Sequence, residues 1–249
     1  MISNEITIER DADFGIILEK NYTLQIAYEY LLHDPDTNNL MKVLNPIWGE
    51  EILYFDFKGK HVVAVSAKGA PIAVNAVERI RRTGGKVIVL IGTCGSTNES
   101  IIDGTIVLAN AAVRDEGVSK GYLDLRIPAC SDMELNNIIV EKLKQLDTIS
   151  VTGVAFTTDK RYKEDSNELE KLNKQANVIY VDMETSAVLL VSAYHGIRAT
   201  AVKVVTDCAV KKTSGELKGV FDRRKNFISF TNPKLLQILK ATLNAYSEL

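Results

Sequence analysis

Apolar and polar positions along the chain fall into alternating stretches of strand-type and helix-type periodicity. Phe14 to Leu18 (F-G-I-I-L) is a continuous apolar run that predicts a buried first strand, left by a turn at Glu19-Lys20-Asn21. Tyr22 to Leu32 places Leu24, Ile26, Ala27, Tyr30 and Leu31 on one helical face, and His33 to Asn39 is a polar loop. Ile52 to Phe57 and His61 to Ser66 flank Lys58-Gly59-Lys60, the pattern of a hairpin. Pro71 suits the first turn of a helix running to Arg82, Gly84-Gly85 closes it, and Lys86 to Ile91 is a buried central strand. Further along, Thr105 to Val113 and Ser150 to Phe156 predict strands. Ser131 to Leu146 predicts an amphipathic helix capped by Ser131 or Asp132. Lys163 to Asn177 is a charged surface helix and loop, and Pro233 to Tyr246 is a closing helix with Leu235, Leu236, Leu239, Leu243 and Tyr246 in one stripe.

The stretch that organises the rest is Val178 to Asp207. A short β-branched and aromatic strand (Val178 to Val181), an acidic turn, a helix apolar on nearly every face (Thr185 to Ala193), a stop at Gly196 and a second apolar strand (Ala199 to Thr206) predict a β-α-β unit with a right-handed crossover. In such sheets the ligand crevice lies beyond the carboxyl ends of the strands, where Asp182, Glu184 and Asp207 fall. Acidic residues at strand ends also cap helices or face water, so the spacing alone leaves both readings open.

Composition narrows the class. The 249 residues are 46% hydrophobic and 25% charged, which suffices for a large core in one α/β domain, residues 1–249, with no linker or repeat to divide it. A net charge of -2 without a basic run makes neither nucleic acid nor an anionic membrane an expected partner. No apolar run reaches ~18 residues, and the start lacks the basic and apolar regions of a signal peptide, so a cytoplasmic location is expected. Cys94, Cys130 and Cys208 are widely spaced, and His33, His61 and His195 have no metal-ligand spacing, so neither a disulfide framework nor a metal site is expected.

Gly92-Thr93-Cys94-Gly95-Ser96 follows the central strand directly, and a glycine-rich loop there can present backbone N–H groups and a hydroxyl to an anion, although such glycines are commonly just turns. Taken with V-D-M-E-T-S-A (Val181 to Ala187) and V-V-T-D (Val204 to Asp207), it resembles the nucleoside phosphorylase and nucleosidase superfamily, whose members include purine nucleoside phosphorylases, uridine phosphorylases and methylthioadenosine nucleosidases. Gly69-Ala70-Pro71 resembles that family's Gly-Gly-Pro turn, Ala111 to Ser119 (A-A-V-R-D-E-G-V-S) a segment along the nucleoside pocket and subunit contact, and G-V-A-F-T-T-D-K-R-Y (Gly153 to Tyr162) the base-binding strand and turn. From chemistry alone, Arg114 and Asp115 in the second of these could be a surface ion pair. The resemblance implies a three-layer α/β/α domain around a central mixed, mostly parallel twisted sheet, acting on a small-molecule nucleoside as a homodimer or a hexamer built as a trimer of dimers.

It also implies roles. Glu184 would accept hydrogen bonds from the ribose hydroxyls, with Met183 packed on the sugar and Asp182 beside them. Asp207 would be the acid at a purine base. Phe156, Arg161, Tyr162, Thr93, Cys94 and Gly95 would line the substrate site, and Thr93, Gly69 and Lys68 would form a weak phosphate site. No cofactor is implied beyond phosphate as a possible co-substrate. The chain departs from the phosphorylases where they hold phosphate: one arginine position is Leu90, another falls in L-E-K-N-Y-T (Leu18 to Thr23), and a third lies near Ile47-Trp48. Lys20 or Lys68 could substitute, but a flexible ammonium is not an equivalent clamp. Three readings stay open: a phosphorylase with a rebuilt phosphate site, a hydrolase in which Glu19 activates water, or a non-catalytic nucleoside-binding relative.

Overall fold

The computed structural model describes residues 10–45, 49–161, 164–211 and 223–249. Tyr162, Ile47-Trp48, the start of the chain and most of the polar stretch after Cys208 lie outside the described residues. In chain order the elements are β1 (Phe14–Glu19), α1 (Lys20–Leu31), β2 (Thr37–Leu44), β3 (Glu51–Phe57), β4 (Lys60–Ala67) and α2 (Ala70–Arg82). Next come β5 (Val87–Ser96), β6 (Ile106–Asp115), β7 (Ala129–Cys130), α3 (Met133–Gln145), β8 (Ser150–Thr158) and α4 (Ser166–Ala176). The chain ends with β9 (Val178–Asp182), α5 (Thr185–Tyr194), β10 (Arg198–Cys208) and α6 (Arg223–Tyr246).

The ten strands of the described residues form one mixed sheet in the order β10-β6-β8-β9-β5-β1-β4-β3-β2, with β7 on β6. Because β10 also pairs with β5, the strands β5, β10, β6, β8 and β9 close into a ring, and β1 to β4 extend from it as an open wing. Helices cover both faces. Residues of β5 alternate between them: Ile88 and Leu90 pack with α2 and α5, whereas Val87, Val89 and Ile91 pack with α1, α3 and α6. This is the three-layer α/β domain the sequence implies, and α5 is apolar all round because it is buried from Thr185 to Ser192. The hairpin between β3 and β4 turns on Lys58 and Gly59, both at positive φ, as a two-residue loop matched to strand twist requires.

Several expectations are corrected. The β9-α5-β10 segment is not a parallel crossover: β9 runs antiparallel to β5 while β10 runs parallel to it, so β9 and β10 have opposite senses. An apolar helix between two apolar strands does not encode their relative direction, which ring closure sets. Gly92 to Ser96 is not a loop but the end of β5, paired with β10 from Gly92↔Lys203 to Ser96↔Cys208. The expected turn at Glu19-Lys20-Asn21 is tighter than the sequence suggests: β1 ends at Glu19, and α1 starts directly at Lys20, whose φ of +75° makes the turn. Part of the expected loop before residue 40 is the edge strand β2, half exposed and rich in polar residues, which hides it from a hydrophobic pattern. The closing helix begins at Arg223 and carries Pro233 inside it. Arg114 and Asp115 do not pair with each other: Arg114 donates to the carbonyls of Leu123, Asp124 and Ile127, and Asp115 pairs with Lys160.

Candidate active site

Glu19 at the end of β1, Asp182 at the end of β9 and Glu184 at the start of α5 meet around one buried lysine. Lys203, in the middle of β10, has no solvent exposure. Its ammonium lies 3.1 Å from Asp182 Oδ2, 3.1 Å from Glu184 Oε2 and 3.6 Å from Glu19 Oε2. Burial opposes charge on Lys203, but the three carboxylates outweigh it and hold the ammonium well above its ordinary value. Lys203 was missed by sequence reasoning. The signal available was a lone lysine interrupting an apolar strand, A-V-K-V-V.

Glu184 stands at the start of α5 and is almost fully buried. Its Oε1 accepts a 2.7 Å hydrogen bond from Gly69 N–H, at the start of α2, while Oε2 accepts from Lys203. Burial pushes its carboxyl up to about 7, against the pull of Lys203 and with the help of the nearby negative Glu19 and Asp182. Asp182 caps the turn into α5, as acidic residues at strand ends commonly do. It accepts from Thr185 N–H and hydroxyl and, on Oδ1, from Thr157 Oγ1 at 2.8 Å. Met183, between them, is half-buried.

Glu19 ends β1, and its carboxylate is gripped by groups of β5 and α1. Thr93 N–H donates to Oε2 at 2.5 Å and Thr93 Oγ1 lies 3.1 Å from the same oxygen. Lys20 Nζ is 2.6 Å from Oε1 and also donates to Thr93 Oγ1 at 3.2 Å. Burial alone would raise this carboxyl, but Lys203, Lys20 and the Thr93 amide overcome it and hold it down at about 2. Gly92 is the residue that makes the approach possible: a Cβ there would lie 2.4 Å from Glu19 Oε2 and 3.1 Å from Lys203 Nζ.

Asp207 reaches the same end of the sheet through a register shift between Val205 and Asp207, a bulge that re-aims the side chain. Gly95 is in register with Asp207 on one side and Val181 on the other, and a Cβ on it would stand 3.3 Å from both Asp207 Oδ1 and Val181 Cγ1. Asp207 is half-buried, and the Thr206 hydroxyl lies 3.4 Å from its Oδ1. Cys94 is buried, and that burial drives its thiol well above the ordinary value. Phe156 lies inside an apolar cluster with Leu169, Val178, Val181 and Ala209. Arg161 is exposed at the turn after β8. Lys68 is exposed and, with Lys20, Ser66 and Glu50, lines a cavity of about 170 Å³ beside the Glu19 cluster. Leu90, at the position where the resemblance implies an arginine, is fully buried in the core. Among the described residues no group of histidine, cysteine and carboxylate side chains is placed to hold a metal ion, and no helix is long and apolar enough to cross a membrane.

Comparison with known proteins gives the same setting. A family model described as the phosphorylase superfamily matches residues 37–244. The chain is 28% identical over 181 residues to a guanosine phosphorylase of Halorubrum lacusprofundi, covering 73% of each protein. It is 30% identical over 171 residues to a DeoD-type purine nucleoside phosphorylase of Colwellia psychrerythraea, covering 66% of this chain and 73% of that one. Among solved structures, purine nucleoside phosphorylase from Toxoplasma gondii in complex with immucillin-H superposes with a TM-score of 0.79 at 20% identity, covering 97% of this chain and 94% of that one. Uridine phosphorylase from Vibrio fischeri superposes with a TM-score of 0.78 at 21% identity, covering 96% and 93%.

Proposed function

Because this chain belongs to the phosphorylase superfamily, we propose that it is an enzyme that cleaves the N-glycosidic bond of a purine nucleoside. Cleavage builds positive charge on the ribose and negative charge on the departing base, so it needs a grip on the sugar hydroxyls and an acid at the base. Glu184 supplies the grip. Its two oxygens are fixed by Gly69 N–H and Lys203, and a carboxylate has lone pairs left for the 2′ and 3′ hydroxyls. Met183 packs against the sugar. Asp207, held at the β10 bulge, donates to a purine at N7, which is why a purine rather than a pyrimidine is the proposed base.

The observation that carries this reading is the meeting of two carboxylate-bearing strand ends at Gly95, with Val181 leading to Glu184 on one side and Asp207 on the other. Thr93, Cys94 and Gly95 form the floor, and phosphate or water is the acceptor of the ribosyl group. No cofactor takes part in the proposed reaction, and the same reading includes a cytoplasmic homo-oligomer.

The test is release of free base from inosine, guanosine, adenosine and uridine, followed spectrophotometrically. Purine release with uridine left intact is expected, and Asp207→Asn should lower it by ~10²-fold or more. Unchanged turnover in Asp207→Asn would remove this residue from the acid role, and absence of base release from every nucleoside would defeat the enzyme reading.

A further inference from the structure

We infer that the oxyanion cradle of this site is filled by the protein's own Glu19 carboxylate, so that inorganic phosphate is excluded and the ribosyl group is transferred to water. The inference rests on the proposed nucleoside cleavage and specifies its acceptor.

Four donors converge on one small volume at the end of β1: the N–H and hydroxyl of Thr93, the ammonium of Lys20 and the ammonium of Lys203. A backbone amide, a hydroxyl and two cations form a set suited to an oxyanion. The set is already satisfied. Glu19 is 7% exposed, and Thr93 N–H and both lysines reach its carboxylate at 2.5, 2.6 and 3.6 Å. Local geometry favours this arrangement over an accidental contact. Gly92 leaves the space through which the carboxylate reaches Thr93, and Lys20 adopts a φ of +75°, unusual for a side-chain-bearing residue, in the turn that brings its ammonium there.

Charge argues the same way. Lys20 and Lys203 face Glu19, Asp182 and Glu184, so the cluster is neutral or net negative depending on whether Glu184 is protonated. A phosphate near -2 would have to displace Glu19 from its hydrogen bonds and then share two cations with three carboxylates. Displacing the buried Glu19 carboxylate from these partners leaves it an uncompensated charge, a cost that opposes phosphate entry. Hydrolysis balances without a co-reactant: the C1′–N bond breaks with its electron pair on the base, which takes up a proton. Water then bonds to C1′ through oxygen and releases its own proton.

The experiment has two arms on the full chain. In the first, inorganic phosphate is titrated calorimetrically, without nucleoside, into the protein and into Glu19→Gly. The native protein should show no saturable binding, whereas Glu19→Gly, which frees Thr93 and the Lys20 ammonium while Lys203 keeps Asp182 and Glu184, should gain affinity by roughly tenfold or more. Glu19→Gln, neutral and of the same size, is a second variant with a smaller gain expected, should the glycine variant not fold. In the second arm, the sugar product of purine nucleoside cleavage is identified with and without phosphate. Free ribose at a rate indifferent to phosphate is expected. Saturable phosphate binding by the native protein, or formation of ribose 1-phosphate, would overturn the inference. Failure of any nucleoside to be cleaved would instead count against the function proposed above, leaving the phosphate titration to decide the occupancy of the cradle.

Discussion

Glu19 and Glu184 share one buried ammonium, yet their carboxyls move in opposite directions, to about 2 and to about 7 from an ordinary 4.5. Burial is the largest influence on both and raises both. Glu19 escapes it because Lys203, Lys20 and the Thr93 amide together outweigh it, whereas Glu184 has Lys203 and Gly69 N–H set against two carboxylate neighbours. For stability the signs differ. Glu184, raised when folded, contributes fully below 4.5 and loses that contribution as pH climbs through about 7. Glu19, lowered when folded, contributes above 4.5 and loses its contribution as pH falls through about 2. For activity, the ionised form of Glu184 is the one that accepts the ribose hydroxyls. The pH profile of kcat/KM for base release should therefore rise through an apparent value of about 7. Glu19→Gln removes a negative neighbour and should move that limb to lower pH, and a limb that stays in place would show that the two carboxylates are not coupled.

At the level of elements, α3 shows how a local signal acquires a second use. Asp132 caps the helix by accepting from Leu135 N–H at 2.8 Å, and the same carboxylate takes a two-point contact from Arg198 at the start of β10. Asp132→Ala should cost about 1 to 2 kcal/mol in urea unfolding, with Asp132→Asn recovering part of it through the cap. Equal stability of the alanine variant and the native protein would mean that neither contact contributes. The helix and its cap were legible in the sequence because both depend on residues a turn apart. The edge strand β2 was not, since polar residues carry no hydrophobic period, and the true start of α6 was hidden by Pro233. The last turn of sequence before Asp207 read as plain strand, but the bulge that aims the aspartate depends on pairing with β5.

For the whole molecule, closure of β5, β10, β6, β8 and β9 into a ring brings strand ends that are far apart in sequence to one rim. Leu125, Ile127 and Ile149 remain exposed on the single chain at 62%, 45% and 87%. Single exposed apolar side chains are ordinary on a protein surface, so the proposed homodimer or hexamer is tested by mass. Sedimentation equilibrium should return at least a dimer mass, and a monomer at all concentrations would count against the assembly. By itself the sequence determined a single α/β domain, the positions of most strands and helices, and the three acidic residues at Asp182, Glu184 and Asp207, since these follow from periodicity and short-range chemistry. Only the tertiary structure decided that Thr93 holds Glu19 across 74 residues of chain and that Lys203 lies between Glu19, Asp182 and Glu184. The physical reason is that a buried charge chooses its partners by strand order and direction, which local patterns of residues do not encode.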